Sequence, residues 1–222
     1  MNAKIKSTAI AVALAGLFAA QSAAADTLVY NGPSNGFISA SITSPTSLST
    51  SAGGFNMINT TPSPDVSFQA WCVDIFHTLA WSTSYTLQSA ASFYSSDPGK
   101  ATALSHLASN YLSSVTNTTN SGAFQLAVWE IVNEASGGSY SLGAGNFQAT
   151  SGNATAVSTA NTWLSNLSGP ITMTANVWAT QSSQDLAVFA PVPEPQTYAM
   201  MLAGLGLMGF VARRRKQEQD YA

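Results

Sequence analysis

A single positively charged side chain, Lys100, serves the whole stretch from Asp26 to Val192, and no other feature of the sequence constrains the fold as tightly. Globular domains ordinarily carry about 25% charged residues; this chain of 222 residues carries 8%. Seven acids share the stretch (Asp26, Asp65, Asp74, Asp97, Glu130, Glu134 and Asp185), so one minus seven leaves it at −6, against −3 for the full chain. Ser and Thr fill 49 of its 167 positions, so hydroxyls rather than charges must keep the surface wet. The hydrophobic share of 45% is ordinary and argues against a wholly disordered chain, which needs low hydrophobicity and high charge. Nucleic acid is excluded as a partner, because its recognition needs a clustered basic footprint. One cysteine excludes an intramolecular disulfide and a Cys-rich zinc site.

The other six positive residues sit in two terminal segments that lie outside the domain. Residues 1–25 have the order of a secretory signal: Lys4 and Lys6, an apolar run from Ala9 to Ala20, then the small residues Ala23, Ala24 and Ala25. Signal peptidase is expected to cut before Asp26. The apolar run is too short to span a bilayer. At the other end, Pro193-Glu194-Pro195 precedes an apolar run from Tyr198 to Ala212 and then Arg213, Arg214, Arg215 and Lys216. As a helix this run is roughly 22 Å long, and snorkelling arginines extend its reach toward the ~30 Å hydrocarbon core. A C-terminal membrane helix is therefore expected, with its basic end cytoplasmic by the positive-inside rule. Gly204, Gly206 and Gly209 spell a dinucleotide-binding string within it, but no strand precedes them and no acidic residue follows at the right distance. They read as small residues suited to close helix contacts.

This tripartite tail resembles the PEP-CTERM sorting signal. The resemblance rests on Pro193, Glu194 and Pro195, one short Gly-, Leu- and Met-rich hydrophobic segment, and Arg213, Arg214 and Arg215. It implies membrane insertion, processing by an exosortase near the Pro-Glu-Pro, and release to the cell surface or an exopolysaccharide matrix of a Gram-negative bacterium. The organisation expected is thus residues 1–25 as signal peptide, 26–192 as one exported domain and 193–222 as sorting segment.

Within the domain, alternation puts Ile38, Ala40 and Ile42 on one face of a strand over Phe37–Ile42, after a short strand over Thr27–Tyr30. Residues 44–66, rich in Ser, Thr, Pro and Gly, read as loop. A strand is expected over Ser67–Leu79, with Ser84–Ala90 as its hairpin partner. Helices follow: one opening at Asp97-Pro98, a second over Ala123–Glu134 and a weaker third over Ala154–Leu167. Ile171–Thr180 and Asp185–Ala190 return to strand. The order implies an α+β domain, an antiparallel sheet or sandwich with two or three helices.

The candidate site is the pair Cys72 and Gln125. Period two sets Cys72, Asp74 and Phe76 on one strand face, and Gln125 heads a helical stripe with Val128, Trp129 and Val132. A buried carboxamide costs a few kcal/mol unless it finds partners. One resolution is a hydrogen bond; another is attack by the thiol, loss of ammonia and an internal thioester. Trp71-Cys72-Val73, with Phe124-Gln125-Leu126-Ala127-Val128-Trp129, resembles the motifs of Cys-Gln thioester domains of bacterial surface proteins. The resemblance implies that Cys72 gives the sulfur and Gln125 the acyl group, and that the domain is a covalent adhesin capturing surface amines or hydroxyls. The alternative is a non-covalent structural or glycan-binding matrix protein with a buried free cysteine. No carboxylate, histidine or metal constellation stands out, so no enzyme, metal or cofactor is expected. His77 falls on the strand face opposite Cys72, His106 lies off its helix's apolar stripe and reads as solvated, Asp74 reads as a surface carboxylate, and Glu130 with Glu134 as a wet helix face.

Overall fold

The computed structural model describes residues 25–192, 202–205, 207 and 208. Nine strands and four helices make up the domain: β1 (Asp26–Pro33), β2 (Ile38–Ser44), β3 (Leu48–Ala52), β4 (Phe55–Asn59), β5 (Val66–Cys72), β6 (Ser82–Ser89), α1 (Ala90–Phe93), α2 (Gly99–Tyr111), α3 (Thr118–Asn133), β7 (Gln148–Ser151), α4 (Ala154–Leu164), β8 (Met173–Ala179) and β9 (Leu186–Pro191). All pairings are antiparallel. Six strands close a barrel in the order β1-β4-β5-β9-β8-β6, and β3-β2-β7 form a separate sheet. The mixed, mostly antiparallel architecture follows the expectation, but the sheet or sandwich is corrected to a barrel plus a small sheet.

Two apolar cores result. Leu28, Met57, Ala70, Tyr85, Trp178 and Leu186 fill the barrel. The larger core lies between the helices and the sheets and takes in Ile38, Ala40 and Ile42, the face that alternation marked on β2. The central helix is α3, in which every residue from Ser121 to Val132 is buried, the pattern of a helix surrounded on all sides. Asn117 caps its start, accepting from the Asn120 N–H at 2.9 Å.

Two expectations need correction here. Residues 44–66 contain β3 and β4, because backbone pairing with neighbouring strands prevails over the loop-like composition of the stretch as a whole. β5 ends at Cys72, and β6 pairs with β1 and β8 rather than with β5. The expected C-terminal membrane helix over Tyr198–Ala212 lies mostly outside the described residues; among the described residues no helix is long and apolar enough to cross a membrane. Residues 202–205, 207 and 208 are helical, while the signal-peptide reading of residues 1–25 (Ala25 apart), the Pro-Glu-Pro and the basic cluster fall outside the described residues.

Glycines let α3 approach the sheets. A Cβ on Gly122 would lie 2.4 Å from Ile38 Cδ1 and 2.5 Å from its Cγ1. Gly122→Ala is therefore expected to destabilise the domain by about 1–3 kcal/mol through overpacking of α3 on β2, measured by urea unfolding. An unchanged midpoint would mean that Ile38 can yield without cost.

Candidate functional site

The site forms where β4 stops short. In the β4–β5 register Phe55 faces Ala70, so continuing the ladder would place Gly53 opposite Cys72. Instead the chain leaves the barrel at Gly53-Gly54 to join the small sheet, where Ala52 pairs with Ile38. Cβ atoms at either glycine would meet neighbours at 2.5 Å, Gly36 O for Gly53 and Ser34 Oγ for Gly54, so only glycine fits this close passage.

The backbone groups that the departing strand leaves unpaired are taken up by α3. Ser121 Oγ accepts from the Gly54 N–H at 2.9 Å. One turn on, Gln125 Oε1 accepts from the Cys72 N–H at 3.0 Å, and Gln125 Nε2 donates to the Cys72 carbonyl at 2.7 Å. The carboxamide thus acts as a surrogate peptide group, pairing both sides of Cys72 as a neighbouring strand would. Cys72 and Gln125 are each 1% exposed.

The thiol donates to the Asp74 carbonyl at 2.9 Å. Burial pushes the Cys72 thiol up to about 12, against the opposing pull of the Trp129 indole N–H and a backbone hydrogen bond at Asp74. Trp129 lies one turn beyond Gln125 on the same stripe, and its buried Nε1 has no hydrogen-bond partner of ordinary geometry. Sequence reasoning identified Cys72, Gln125 and Trp129 but missed Ser121, whose only signal is its spacing of four before Gln125.

The remaining candidates fall elsewhere. Because β5 ends at Cys72, the shared strand face with Asp74 and Phe76 does not exist, and Phe76 is 66% exposed. Asp74 closes a local turn instead, accepting from the Phe76 N–H at 2.8 Å and lying 2.5 Å from His77 Nδ1. His77 is exposed and holds no contact with the thiol. His106 is not simply solvated: it is half-buried, and its Nδ1 is enclosed without a partner. Glu130 is not on a wet face either but is fully buried, and its Oε1 accepts from the Ser141 N–H at 2.7 Å. Glu134 Oε1 likewise accepts from the Phe147 N–H at 2.7 Å, so the two acids moor the segment 134–148 to α3. Among the described residues no group of three His, Cys, Asp or Glu side chains forms a metal site.

Comparison with known proteins resolves the tail. Residues 191–216 match the PEP-CTERM protein-sorting motif. The chain carries a PEP-CTERM sorting signal. Pro193, Glu194, Pro195, Arg213, Arg214 and Arg215 all lie inside the matched segment. The motif implies exosortase processing and marks an exported protein handled at a membrane. No curated protein and no solved structure matches the chain. The resemblance of residues 71–129 to Cys-Gln thioester domains finds no support in these comparisons.

Proposed function

We propose that this PEP-CTERM protein is delivered to the cell surface or matrix and that its domain forms an internal thioester between Cys72 and Gln125, through which it attaches to surface amines or hydroxyls. The observation that carries this reading is the two-point clasp of the Gln125 carboxamide on the Cys72 backbone. It holds an electrophilic carbon beside the residue that bears the only thiol, and such proximity replaces a high concentration of reactant. In the step, Cys72 Sγ attacks Gln125 Cδ, an S–Cδ bond forms, the Cδ–Nε2 bond breaks and the thiol proton leaves with the amine as ammonia. The developing oxyanion is Gln125 Oε1, already within hydrogen-bond reach of the Cys72 N–H. A target amine or hydroxyl then displaces the sulfur and frees the thiol. Lys100 is the domain's single lysine, so competing internal amines are few.

A second reading, a non-covalent structural or exopolysaccharide-binding matrix protein, is favoured by the same thiol's burial and raised pKa, which keep it protonated and inert. Intact mass and alkylation under denaturing conditions separate the two. The thioester reading expects a domain lighter by one ammonia than its sequence, with Cys72 protected from alkylation until methylamine opens the bond. A full-mass domain whose Cys72 alkylates completely would sink it and leave the second reading.

A further inference from the structure

The barrel is closed weakly at one seam. β5 and β9 pair only at Trp71↔Ala187 and Cys72↔Leu186, although the same register would run on through Val66 and Val192. A cavity of about 500 Å³ lies along this unpaired stretch. Phe68 and Trp178 line it together with Val66, Val188 and Leu87, and Trp71 and Phe189 add two more aromatic rings. None of its lining residues is charged.

Ladder alternation fixes what the two walls offer. The Val73 N–H donates to Asp185 O across this seam, so odd-numbered residues of β5 turn their backbone groups toward β9. The Val192 N–H donates to Thr172 O on the other side of β9, so even-numbered residues of β9 turn toward β8 and odd ones toward β5. The N–H and C=O of Gln69 on one wall and Phe189 on the other therefore face the gap, where no pairing between the strands uses them. Two facing strand edges with free backbone groups make a template for a further strand.

We propose that this slot is a docking site for an extended, uncharged, largely apolar peptide segment of a partner protein, inserted as an additional strand between β5 and β9. Main-chain pairing at Gln69 and Phe189 holds the segment. Its side chains alternate between the two faces of the barrel wall, one set against Phe68 and Trp178 and the other against Trp71 and Phe189. The uncharged lining selects against charged side chains, since a charge buried there would be unpaired. The site is independent of the Cys72–Gln125 chemistry.

The test is amide hydrogen exchange of the domain with and without the peptide acetyl-Val-Thr-Val-Thr-Val-amide. Saturable binding should slow exchange at Gln69 and Phe189 at least tenfold. Gln69→Pro removes one edge donor without touching the β4–β5 ladder, and should weaken binding at least tenfold. Leu87→Glu, at a position 42% exposed on the cavity rim, should do the same through charge while leaving the fold intact. The proposal is overturned if the peptide fails to bind, or if it binds both folded variants as well as the parent. It is equally overturned if the same amides are protected by self-association without peptide, or if N-phenyl-1-naphthylamine fills the cavity while the peptide leaves those amides unprotected.

Discussion

Gln125→Ala is expected to lower the stability of the domain by about 3–5 kcal/mol, as the sum of a buried cavity and two orphaned backbone groups. The substitution removes both partners of Cys72, whose N–H and C=O lie in an enclosed site that admits no obvious substitute. Each unpaired buried group costs about 1–3 kcal/mol. Urea denaturation with an unchanged slope is the measurement, and a loss below about 1 kcal/mol would show that the clasp is not a stabilising contact. Two companions sharpen the result. Gln125→Glu turns the donor facing the Cys72 carbonyl into an acceptor, so its stability should recover at low pH, where the carboxyl can donate again. Cys72→Ala leaves the backbone groups paired and should cost about 1–2 kcal/mol if the pair is only hydrogen-bonded. If a thioester forms, Cys72→Ala also loses a covalent link across 53 residues. Its cost then approaches that of Gln125→Ala, and the double mutant falls well short of the sum.

Much of the site was legible because its residues obey local rules. Gln125 stood out as a carboxamide on an apolar helical stripe, and the structure places it on α3 with its partners satisfied. Cys72 stood out as the lone thiol, and β2 followed its alternation of Ile38, Ala40 and Ile42. What eluded the sequence was non-local. β3 is too hydroxyl-rich and β4, five residues with Asn at two of them, too short to show a strand period, and only their partners on β2, β1 and β5 make them strands. The end of β5 at Cys72 is decided by the turn that Asp74 closes, and the apolar residues on either side of Asp74 between Trp71 and Phe76 mask it. The departure of the chain at Gly53-Gly54, which creates the need for Gln125, is a crowding effect between segments far apart in sequence.

The hydroxyl-rich, charge-poor composition also acquires a structural meaning. With almost no salt bridges to draw on, the domain secures its loops by pairing side chains with backbone. Asp97 Oδ2 accepts from the Ser136 N–H at 3.0 Å, Ser109 Oγ accepts from the Thr172 and Met173 N–H groups, each at 3.0 Å, and Ser105 Oγ accepts from the Ala175 N–H at 3.1 Å. Lys100 itself donates to the Val132 carbonyl at 2.8 Å rather than to a carboxylate. Such contacts are insensitive to salt, unlike surface ion pairs, which suits a protein exported beyond the cell's control of ionic strength.

Where acids are used in this way, they make stability depend on pH, and Glu130 should dominate that dependence. Burial pushes its carboxyl up to about 7, the Ser141 N–H pulls the other way, and the neighbouring Glu134 charge adds to the rise. Its second oxygen has no partner, so the folded state favours the neutral acid. A pKa raised on folding contributes stability that is complete below the unfolded value of 4.5, shrinks as pH climbs, and is gone above about 7. The domain should therefore lose on the order of 2–3 kcal/mol between those limits from this group alone. Asp185, also raised by burial, acts in the same sense, whereas Asp97, lowered chiefly by the Ser136 hydroxyl, acts in the opposite one. Glu130→Gln isolates the contribution, since the amide oxygen can still accept from Ser141 and nothing at that position ionises. The variant should match the parent near pH 4.5, exceed it at pH 8 by the same 2–3 kcal/mol or so, and show a flatter profile throughout. Parallel stability curves for the two proteins would mean that the Glu130 carboxylate is stabilised in place, and that the segment 134–148 is moored to α3 by a charge rather than by a neutral acid.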